Sequence, residues 1–407
     1  MRVVLSTYGS RGAVEPMAGL AVRLREFGAH VRMCAPPDEE FAVRLAGLGV
    51  ELVPAGNPVR PLVTSVTPGS AQGLAQRAED LMAAQFDVVA AAAEGGDALV
   101  ATGPLPVTAG ARSVAEKLGL RYVHASHQPV SLPSPHRRPP ARRGRPLPPD
   151  ATDNQALWDL DARMANTMFG ETLNTLRADA GLAPVDSVRD YAFTAHPWLA
   201  TDPFLSPWQP TGLGVVQTGA WCAPDERPLP AELVEFLDDG PPPVYVGFGS
   251  MPLGALEEVA RAAVEAIRAQ GRRAVVSRGW AELTLADGRD DCLLVDEVNH
   301  QALFRRVAAV VHHGSAGTTT TATLAGVPQV VAAQGADQPY WAGRVTDLGI
   351  GAAHEDRAQA AESLAAALRT ALAPGTRARA EAVAAEVRTD GTTVAARLLL
   401  EGAARTA

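Results

Sequence analysis

The sequence predicts an α/β protein of two doubly wound domains, each with a parallel sheet covered by helices on both faces. Short apolar segments alternate with amphipathic helical segments in both halves of the chain, as expected for buried parallel strands and their covering helices. Residues 205–230 are rich in Pro, Gly and Thr and predict an inter-domain linker. A length of 407 residues is sufficient for two cores. We therefore expect domains over 1–212 and 213–386, with a C-terminal helix at about 387–407 packing back on the first.

In the first half, residues 2–7 predict a buried strand and Gly9–Gly12 a tight turn. The helix that follows has apolar residues at i, i+3 and i+4 spacing and ends at Gly28. Further strands are predicted at His30–Cys34, Val50–Val53, Ala98–Ala101 and Tyr122–Ala125, and a long helix near Trp158–Gly181.

The second half repeats the alternation. Strands are predicted at Val244–Phe248, Arg273–Ser277, Cys292–Val295, Ala308–His312 and Gln329–Ala333, with helices at Leu256–Arg268 and from about Ala358 onward. Two such series on either side of a linker indicate two doubly wound sheets.

Composition narrows the function classes. The formal net charge of −9 and pI of about 5.5 argue against a nucleic-acid partner. The three cysteines, Cys34, Cys222 and Cys292, are widely spaced and predict neither a disulfide framework nor a zinc site. No apolar run approaches the ~18 residues of a membrane span, and residues 2–7 are too short for a signal peptide. We expect a cytoplasmic protein without a membrane partner.

Residues 132–153 break the α/β pattern, because their seven prolines cannot sit in a helix interior or a strand ladder. Five arginines give this segment a local positive charge: Arg137, Arg138, Arg142, Arg143 and Arg145. Two interpretations stay open, a solvated loop and a flap that meets an acidic acceptor molecule.

The most informative stretch lies between Val310 and Gly351. A predicted strand ends at His312, and a glycine-bearing turn opens a helix near Thr318. Such a turn aims backbone N–H groups and the positive end of the helix dipole at one point, which favours phosphate. His313, Ser315 and Thr318 add side-chain hydrogen-bond donors. The alternative is a strand–helix turn that merely needs glycine.

The turn Gly9–Gly12 has the same local geometry in the first half, but it is neither a GxGxxG fingerprint nor a P-loop. The second strand ends at Cys34 without an acidic residue placed to hold a ribose diol. This half is therefore not predicted to bind a nicotinamide or flavin cofactor.

These motifs together resemble a known enzyme family. The run HHGSAGT…AGVPQ…ADQPYWA resembles the nucleotide-sugar signature of the GT-B glycosyltransferases of family 1, and MRVVLSTYGSRG with the following Glu15-Pro16 resembles their acceptor-domain start. Four segments resemble, more narrowly, the actinomycete enzymes that glycosylate vancomycin- and teicoplanin-type peptides: Ala195–Leu205, Val216–Pro230, Pro241–Ser250 and Val276–Leu283. The similarity covers essentially the whole chain. It implies a GT-B fold, with two Rossmann-like domains facing across a cleft.

The resemblance also implies roles for individual residues. The nucleotide base would lie against Trp280 and Val298, with the turn that ends at His300 reading its edge. The sugar hydroxyls would be held by Asp337 and Gln338. The diphosphate would be held by Ser250, His313, Ser315, Gly317 and Thr318, and approached from across the cleft by Ser10, Arg11 and Gly12. The alternative interpretations are that Asp337 is a helix N-cap and that Trp280 is a core residue.

The resemblance implies a transfer that needs no metal and no cofactor. The sequence is compatible with this, since no DxD pair lies in a plausible loop and the adjacent His312 and His313 point to opposite faces of a strand. The helix N-terminus and His313 would then meet the charge of the leaving group.

One position departs from the family pattern. The residue after GSRG is usually an aspartate that acts as the general base, and here it is Ala13. Three explanations stay open: an inactivated variant, a phenolic acceptor that needs little base assistance, or a substitute base. His127 and His124 are the candidates for a substitute, with Glu15 a weaker one.

We expect an inverting glycosyltransferase that moves a sugar from a UDP- or dTDP-sugar to a hydroxyl of a glycopeptide antibiotic aglycone or pseudoaglycone. One rival is a non-catalytic protein that binds a nucleotide-sugar, for which Ala13 is the best support. The other is a nucleotide-sugar 2-epimerase, which would need no acceptor pocket.

Overall fold

The computed structural model describes residues 1–64, 71–140, 142, 146–251, 256–284, 289–354 and 360–404. The chain divides into two compact units. The first contains residues 1–59, 67–223 and 388–407, and the second contains 60–66 and 224–387.

The first unit is built on a seven-stranded sheet of order β3-β2-β1-β4-β5-β6-β7, with every described pairing parallel. The strands are β1 (Arg2–Thr7), β2 (His30–Ala35), β3 (Glu51–Pro54), β4 (Ala98–Thr102), β5 (Arg121–Ser126), β6 (Trp198–Leu199) and β7 (Val216–Gln217). The second unit is built on a six-stranded sheet of order β10-β9-β8-β11-β12-β13, also parallel. Its strands are β8 (Val244–Gly247), β9 (Ala274–Ser277), β10 (Cys292–Val295), β11 (Ala309–His312), β12 (Gln329–Val331) and β13 (Gly351–Ala353).

The helices alternate with these strands along the chain. They are α1 (Arg11–Glu26), α2 (Glu39–Gly47), α3 (Arg60–Thr64), α4 (Ala71–Ala84), α5 (Ala90–Ala93), α6 (Leu105–Leu118), α7 (Asn154–Asp179), α8 (Val188–Phe193), α9 (Ala231–Asp238), α10 (Leu256–Ala269), α11 (His300–Leu303), α12 (Ala316–Leu324), α13 (Gln338–Asp347), α14 (Ala360–Ala371), α15 (Pro374–Ala384) and α16 (Gly391–Ala404). Short 3₁₀ turns occupy Pro129–Ser131 and Phe304–Arg306, and a π-helical turn occupies Gln85–Val89. In the described part of the chain, no helix has the length and apolarity needed to cross a bilayer.

The predicted fold class is confirmed, with two doubly wound parallel sheets. The order of each sheet reverses next to its first strand, between β1 and β4 in one unit and between β8 and β11 in the other. In doubly wound folds, ligands bind outside the carboxyl ends of the strands at this switch point.

The chain leaves the first unit after Ala223, later than the sequence suggests, and the stretch expected as a linker contains β7. The reason is local packing. β7 pairs with β6, and the Trp221 ring lies edge-on to Trp198 with centroids 6.3 Å apart. The Trp221 indole N–H also donates to Thr218 Oγ1 at 3.0 Å. At the other end, α16 returns to the first unit and packs on α1.

Candidate functional site

The switch point of the second sheet lies between the carboxyl ends of β8 and β11, where Gly247 pairs in register with His312. The loop after β8 contains Gly249 and Ser250, and the turn after β11 leads into α12. The sheet therefore brings the predicted diphosphate residues Ser250, His313 and Ser315 to one edge.

The N-terminus of α12 offers an anion site. Ser315 occupies the N-cap position, and its hydroxyl accepts the N–H of Thr318 at 3.4 Å. The first intrahelical bond runs from Thr319 N to Ser315 O at 3.0 Å, so the N–H groups of Ala316 and Gly317 precede it. These two amides have no intrahelical acceptor and carry the positive end of the helix dipole. Gly317 is exposed, as an anion-binding residue must be.

Gly314 shapes this turn. Its φ is +91°, and a Cβ built on it would lie 2.6 Å from Val331 Cγ1 and 3.2 Å from Gln338 O. Only glycine tolerates both the backbone conformation and this approach. The turn is therefore pressed against the end of β12 and the start of α13.

His313 packs beside the loop after β8, since a Cβ built on Gly249 would lie 3.3 Å from His313 Cε1. Burial lowers the pKa of His313 to about 4, so the ring is neutral at pH 7. Its Nδ1 is buried and has no hydrogen-bond partner among the described residues. A neutral imidazole beside the α12 N-terminus can donate one hydrogen bond to a diphosphate.

Asp337 and Gln338 lie at the start of α13. Asp337 occupies the N-cap position, but its Oδ2 accepts the indole N–H of Trp341 at 2.8 Å instead of a cap hydrogen bond. Burial raises the pKa of its carboxyl above the usual value. Gln338 Oε1 accepts the N–H groups of Gln334 and Gly335, which fixes the preceding loop. Asp337 therefore stands at the N-cap position of α13, but its side chain makes no cap hydrogen bond.

The predicted base-binding residues follow the neighbouring strands β9 and β10. Trp280 and Val298 are each 6% exposed, and Trp280 N donates to Gly249 O at 3.0 Å. The His300 ring lies 2.9 Å from Tyr245 Oη through Nε2 and stacks on Phe304 with centroids 4.7 Å apart. The side chains of Val298 and His300 thus pack against core residues of the second unit, and their contact with a base stays a prediction.

The turn Glu297–Asn299 is held by the start of the second unit. Asn299 Nδ2 donates to the carbonyls of Asp225 and Arg227 at 2.8 and 2.9 Å. Arg227 also donates to Glu297 Oε1 at 2.9 Å. This side of the candidate base pocket is therefore fixed before any ligand binds.

In the first unit, Ser10 occupies the N-cap position of α1 without a side-chain cap bond, and Gly12 is exposed. Arg11 forms an ion pair with Glu15 at 3.6 Å. These residues follow β1, whose carboxyl end pairs with β4 at the switch point of the first sheet. Their contact with the sugar donor stays a prediction.

Ala13 is half-buried, and its carbonyl accepts the Thr7 hydroxyl at 3.4 Å. Glu15, the weaker substitute for the missing base, is also paired with Arg44 at 3.1 Å. The Glu15 carboxylate is therefore already engaged by two arginines, Arg11 and Arg44.

His124 and His127 lie at the carboxyl end of β5. His124 is 3% exposed, its ring centroid lies 4.5 Å from that of Phe193, and burial lowers its pKa to about 3. His127 packs edge-on to Trp221 at 5.5 Å, and burial lowers its pKa to about 4. Both ring nitrogens of His127 are buried without a hydrogen-bond partner among the described residues. Of these two histidines, His127 is the better candidate to accept a proton, because both of its ring nitrogens lack a partner in the described part of the chain, against only Nδ1 of His124.

The arginines of the 132–153 segment are engaged within the protein where the structure describes them. Arg138 donates to the carbonyls of Pro148, Pro149 and Ala151, and Arg142 makes two hydrogen bonds to Asp161 at 2.7 and 3.0 Å. Arg143 and Arg145 lie outside the described residues. The described contacts favour a loop tied to α7 over a flap that presents free cations.

Sequence reasoning missed the residues behind the diphosphate turn. His312 is fully buried and links to Gln329, and Trp341 holds Asp337. The tandem histidines and the run Thr318–Thr321 were the available signals, because side chains this polar in a buried stretch need hydrogen-bond partners.

Two family models match the chain. Residues 3–131 match the glycosyltransferase family 28 N-terminal domain, and residues 252–398 match the C-terminal domain of erythromycin biosynthesis protein CIII-like proteins.

The relatives extend over the full length. Glycosyltransferase GtfE of Amycolatopsis orientalis is 55% identical over 98% of this chain and 97% of its own. The vancomycin aglycone glucosyltransferase of the same organism is 53% identical over 100% of this chain and 98% of its own. Among solved structures, the spinosyn forosaminyltransferase SpnP superposes with a TM-score of 0.72 at 19% identity, covering 99% of both chains. This last similarity concerns the fold, which is that of the GT-B glycosyltransferases.

Proposed function

Because the chain belongs to the glycosyltransferase family of the vancomycin aglycone glucosyltransferase, we propose that it transfers a sugar from a UDP- or dTDP-sugar to a hydroxyl of a glycopeptide antibiotic aglycone or pseudoaglycone. The main observation in support of a nucleotide-sugar site in the second unit is the switch point of its sheet. There, the N–H groups of Ala316 and Gly317, which have no intrahelical acceptor, lie at the same edge of the sheet as the neutral His313.

In the transfer, the acceptor oxygen forms a bond to the anomeric carbon from the face opposite the diphosphate. The bond from that carbon to the diphosphate oxygen breaks, so the configuration inverts. Negative charge develops on the departing diphosphate, and the N–H groups of Ala316 and Gly317 stabilise it together with His313. The carboxylate of Asp337, which Trp341 orients, accepts a hydrogen bond from a sugar hydroxyl.

The acceptor hydroxyl must also release a proton. Ala13 cannot take it, and in our proposal the wild-type chain is limited by this missing base. His127 is the substitute that the first unit supports best, because both its ring nitrogens are unpartnered among the described residues. A pKa of about 4 keeps His127 neutral at pH 7 but makes it a weak base.

A second candidate function is a nucleotide-sugar-binding protein that has lost transfer chemistry. Ala13 is the specific observation that favours it, since the sugar-donor turn is complete and the base position is not. A 2-epimerase is not favoured, since the family is one of transferases. We also propose a cytoplasmic location, which is compatible with cysteines whose wide spacing predicts no disulfide framework.

The full chain tests the proposal in two steps. UDP or dTDP at about 100 times its Kd should stabilise the fold by roughly 2.7 kcal/mol, measured as a rise in Tm. UDP-glucose or dTDP-glucose with a vancomycin-type aglycone should then give a glycosylated product by mass spectrometry. Absence of any Tm shift at millimolar nucleotide would contradict the sugar-donor site. A Tm shift without product, in wild type and in Ala13→Asp, would favour the binding protein.

A further inference from the structure

A chain of buried side chains runs behind the candidate diphosphate turn. His312 Nδ1 accepts the N–H of Gly314 at 3.1 Å, and His312 Nε2 lies 3.0 Å from Gln329 Oε1. Gln329 Nε2 donates to Thr323 Oγ1 at 3.0 Å, and the Thr323 hydroxyl donates to Thr319 O at 2.8 Å. His312, Gln329 and Thr323 are at most 1% exposed, so water does not compete for these bonds.

These partners fix the tautomer of His312. Because Gly314 N–H donates to Nδ1, the proton of the neutral ring is on Nε2, which donates to Gln329 Oε1. Burial, followed by the nearby His313, lowers the pKa of His312 to about 3, so the ring stays neutral at working pH. A protonated ring could not accept from Gly314.

The other end of the chain stops at the Thr319 carbonyl, and two other groups of Thr319 hold Ser315. The Ser315 carbonyl accepts both the N–H of Thr319 at 3.0 Å and the Thr319 hydroxyl at 2.8 Å. A trans peptide is planar, with its C=O and N–H pointing in opposite directions. A Ser315 carbonyl held along α12 therefore holds the N–H of Ala316 outward from the helix start, where a phosphate oxygen would bind.

We propose that His312, Gln329 and Thr323 are positioning residues that hold the backbone of Gly314–Ala316 in its diphosphate-binding conformation. The inference rests on the proposed function, because the diphosphate is the ligand of that turn. None of the three side chains touches the ligand. Each acts through the peptide groups on which the hydrogen bonds of the chain end.

Substitutions can cut the chain at different links. His312→Phe keeps a planar aromatic ring but removes both hydrogen bonds, whereas His312→Asn keeps an acceptor near the Nδ1 position for Gly314. Thr323→Val is nearly isosteric and removes only the hydroxyl that joins Gln329 to Thr319. The matched control is His354→Phe, another buried histidine of the second unit, whose Nδ1 lies 2.9 Å from Ser363 Oγ.

The measurement is the Kd of the folded full-length chain for UDP and for uridine, repeated with dTDP and thymidine. The ratio of nucleoside Kd to diphosphate Kd isolates the contribution of the phosphates. His312→Phe should reduce this ratio about 10-fold or more, the equivalent of one well-placed hydrogen bond to a charged group. Thr323→Val should reduce it about 3-fold, and His312→Asn should recover most of the loss. His354→Phe should leave the ratio unchanged even where it lowers Tm.

A ratio that stays at the wild-type value in both His312→Phe and Thr323→Val would overturn the inference. So would an equal loss for nucleoside and diphosphate, because a general loss of stability affects both ligands. If His312→Phe does not fold, Thr323→Val and His312→Asn decide the outcome. Failure of the proposed function is visible separately, as a wild-type chain that binds neither UDP nor dTDP.

Discussion

In the first unit, α1 begins after Ser10, which makes no side-chain cap bond; in the second, α12 begins after Ser315, whose hydroxyl accepts from Thr318. Both turns follow a central strand at the switch point of a parallel sheet. Behind the α12 turn lies a buried hydrogen-bonded chain that starts at His312. At the α1 turn, the Thr7 hydroxyl donates to the Ala13 carbonyl at 3.4 Å, the same length as the cap bond of Ser315.

The difference separates two tasks. A diphosphate has a fixed shape and charge, so a turn that binds it gains from being held in advance. The turn that faces the acceptor must instead provide a general base, and the methyl side chain of Ala13 cannot accept a proton. The proposed diphosphate site of the second unit therefore contains all its predicted side chains, whereas the base position of the first unit is occupied by alanine.

The strongest test of this contrast restores the carboxylate. Ala13→Asp should raise turnover by about 10²-fold or more, because a positioned general base contributes ~10²–10⁴-fold. The fold should tolerate it, since the first turn of α1 contains no acidic residue and the dipole favours one there. The measurement is the initial rate with a nucleotide-sugar and an aglycone. Ala13→Asn, which cannot take the proton, is the control and should gain little.

Two other results would locate the base elsewhere. A wild type that already turns over, and loses its activity in His127→Ala, would make His127 the base. Its rate would then fall only as pH approaches about 4. A rate that climbs with pH toward about 10 and ignores His127→Ala would indicate a phenol deprotonated with little help. A wild type that is fully active, flat in pH and indifferent to both substitutions would refute all three explanations of Ala13.

Asp337→Asn tests the proposed hydrogen bond between the second unit and the sugar. The charge-assisted hydrogen bond to the sugar is worth ~1.5–3 kcal/mol, so kcat/KM should fall by about 10- to 100-fold. The Kd of the nucleoside diphosphate should stay within about twofold, because the free nucleotide lacks the sugar. Trp341→Phe removes the indole N–H from the same carboxylate and is the matched variant. Unchanged turnover in Asp337→Asn would show that Asp337 serves only at the start of α13 and does not bind the sugar.

Each unit contains buried histidines whose pKa values are lowered by burial, which predicts an acid sensitivity shared by the two units. The folded-state pKa of His127 is about 4, below its unfolded value of about 6.5, so the unfolded chain binds a proton that the folded chain does not. Stability should therefore fall as pH drops from about 6.5 toward 4, by up to about 1.4 kcal/mol per pH unit for each such group. Urea unfolding at several pH values measures this slope. His127→Phe should reduce it, and an unchanged slope would show that His127 is not buried neutral.

The smallest expected effect compares the two N-caps directly. Ser315→Ala should lower the free energy of unfolding by about 1 kcal/mol, since it removes a hydroxyl that caps α12. Ser10→Ala should cost much less, because the Ser10 hydroxyl makes no cap bond. Paired chemical denaturation curves measure both values. Equal losses would mean that the α1 turn is braced as firmly as the α12 turn.

The long apolar strands could be predicted from the sequence because their signal is local. β1 and β10 have the predicted bounds, whereas β6 and β7 contain two residues each and exist only because a neighbouring strand pairs with them. The glycine turn before α12 is likewise predictable from its own residues. The contacts of the side chains are not, because His300 meets a tyrosine 55 residues away and His312 a glutamine 17 residues away.

The return of α16 to the first unit gives the fold a modular character. Arg388 N donates to Asp202 Oδ2 at 2.9 Å, and Gly391 lies so close to Gly219 and Ala220 that a Cβ would collide with both. The places where the chain departs, after Ala223, and comes back, at Arg388, are thus neighbours on the first unit. In evolutionary and engineering terms, we expect residues 224–387 to be exchangeable as one segment, with residues 60–66 of the second unit staying in the recipient chain. Recombination at both junctions would keep the three segments of the first unit together, whereas a single crossover would separate α16 from the helix on which it packs.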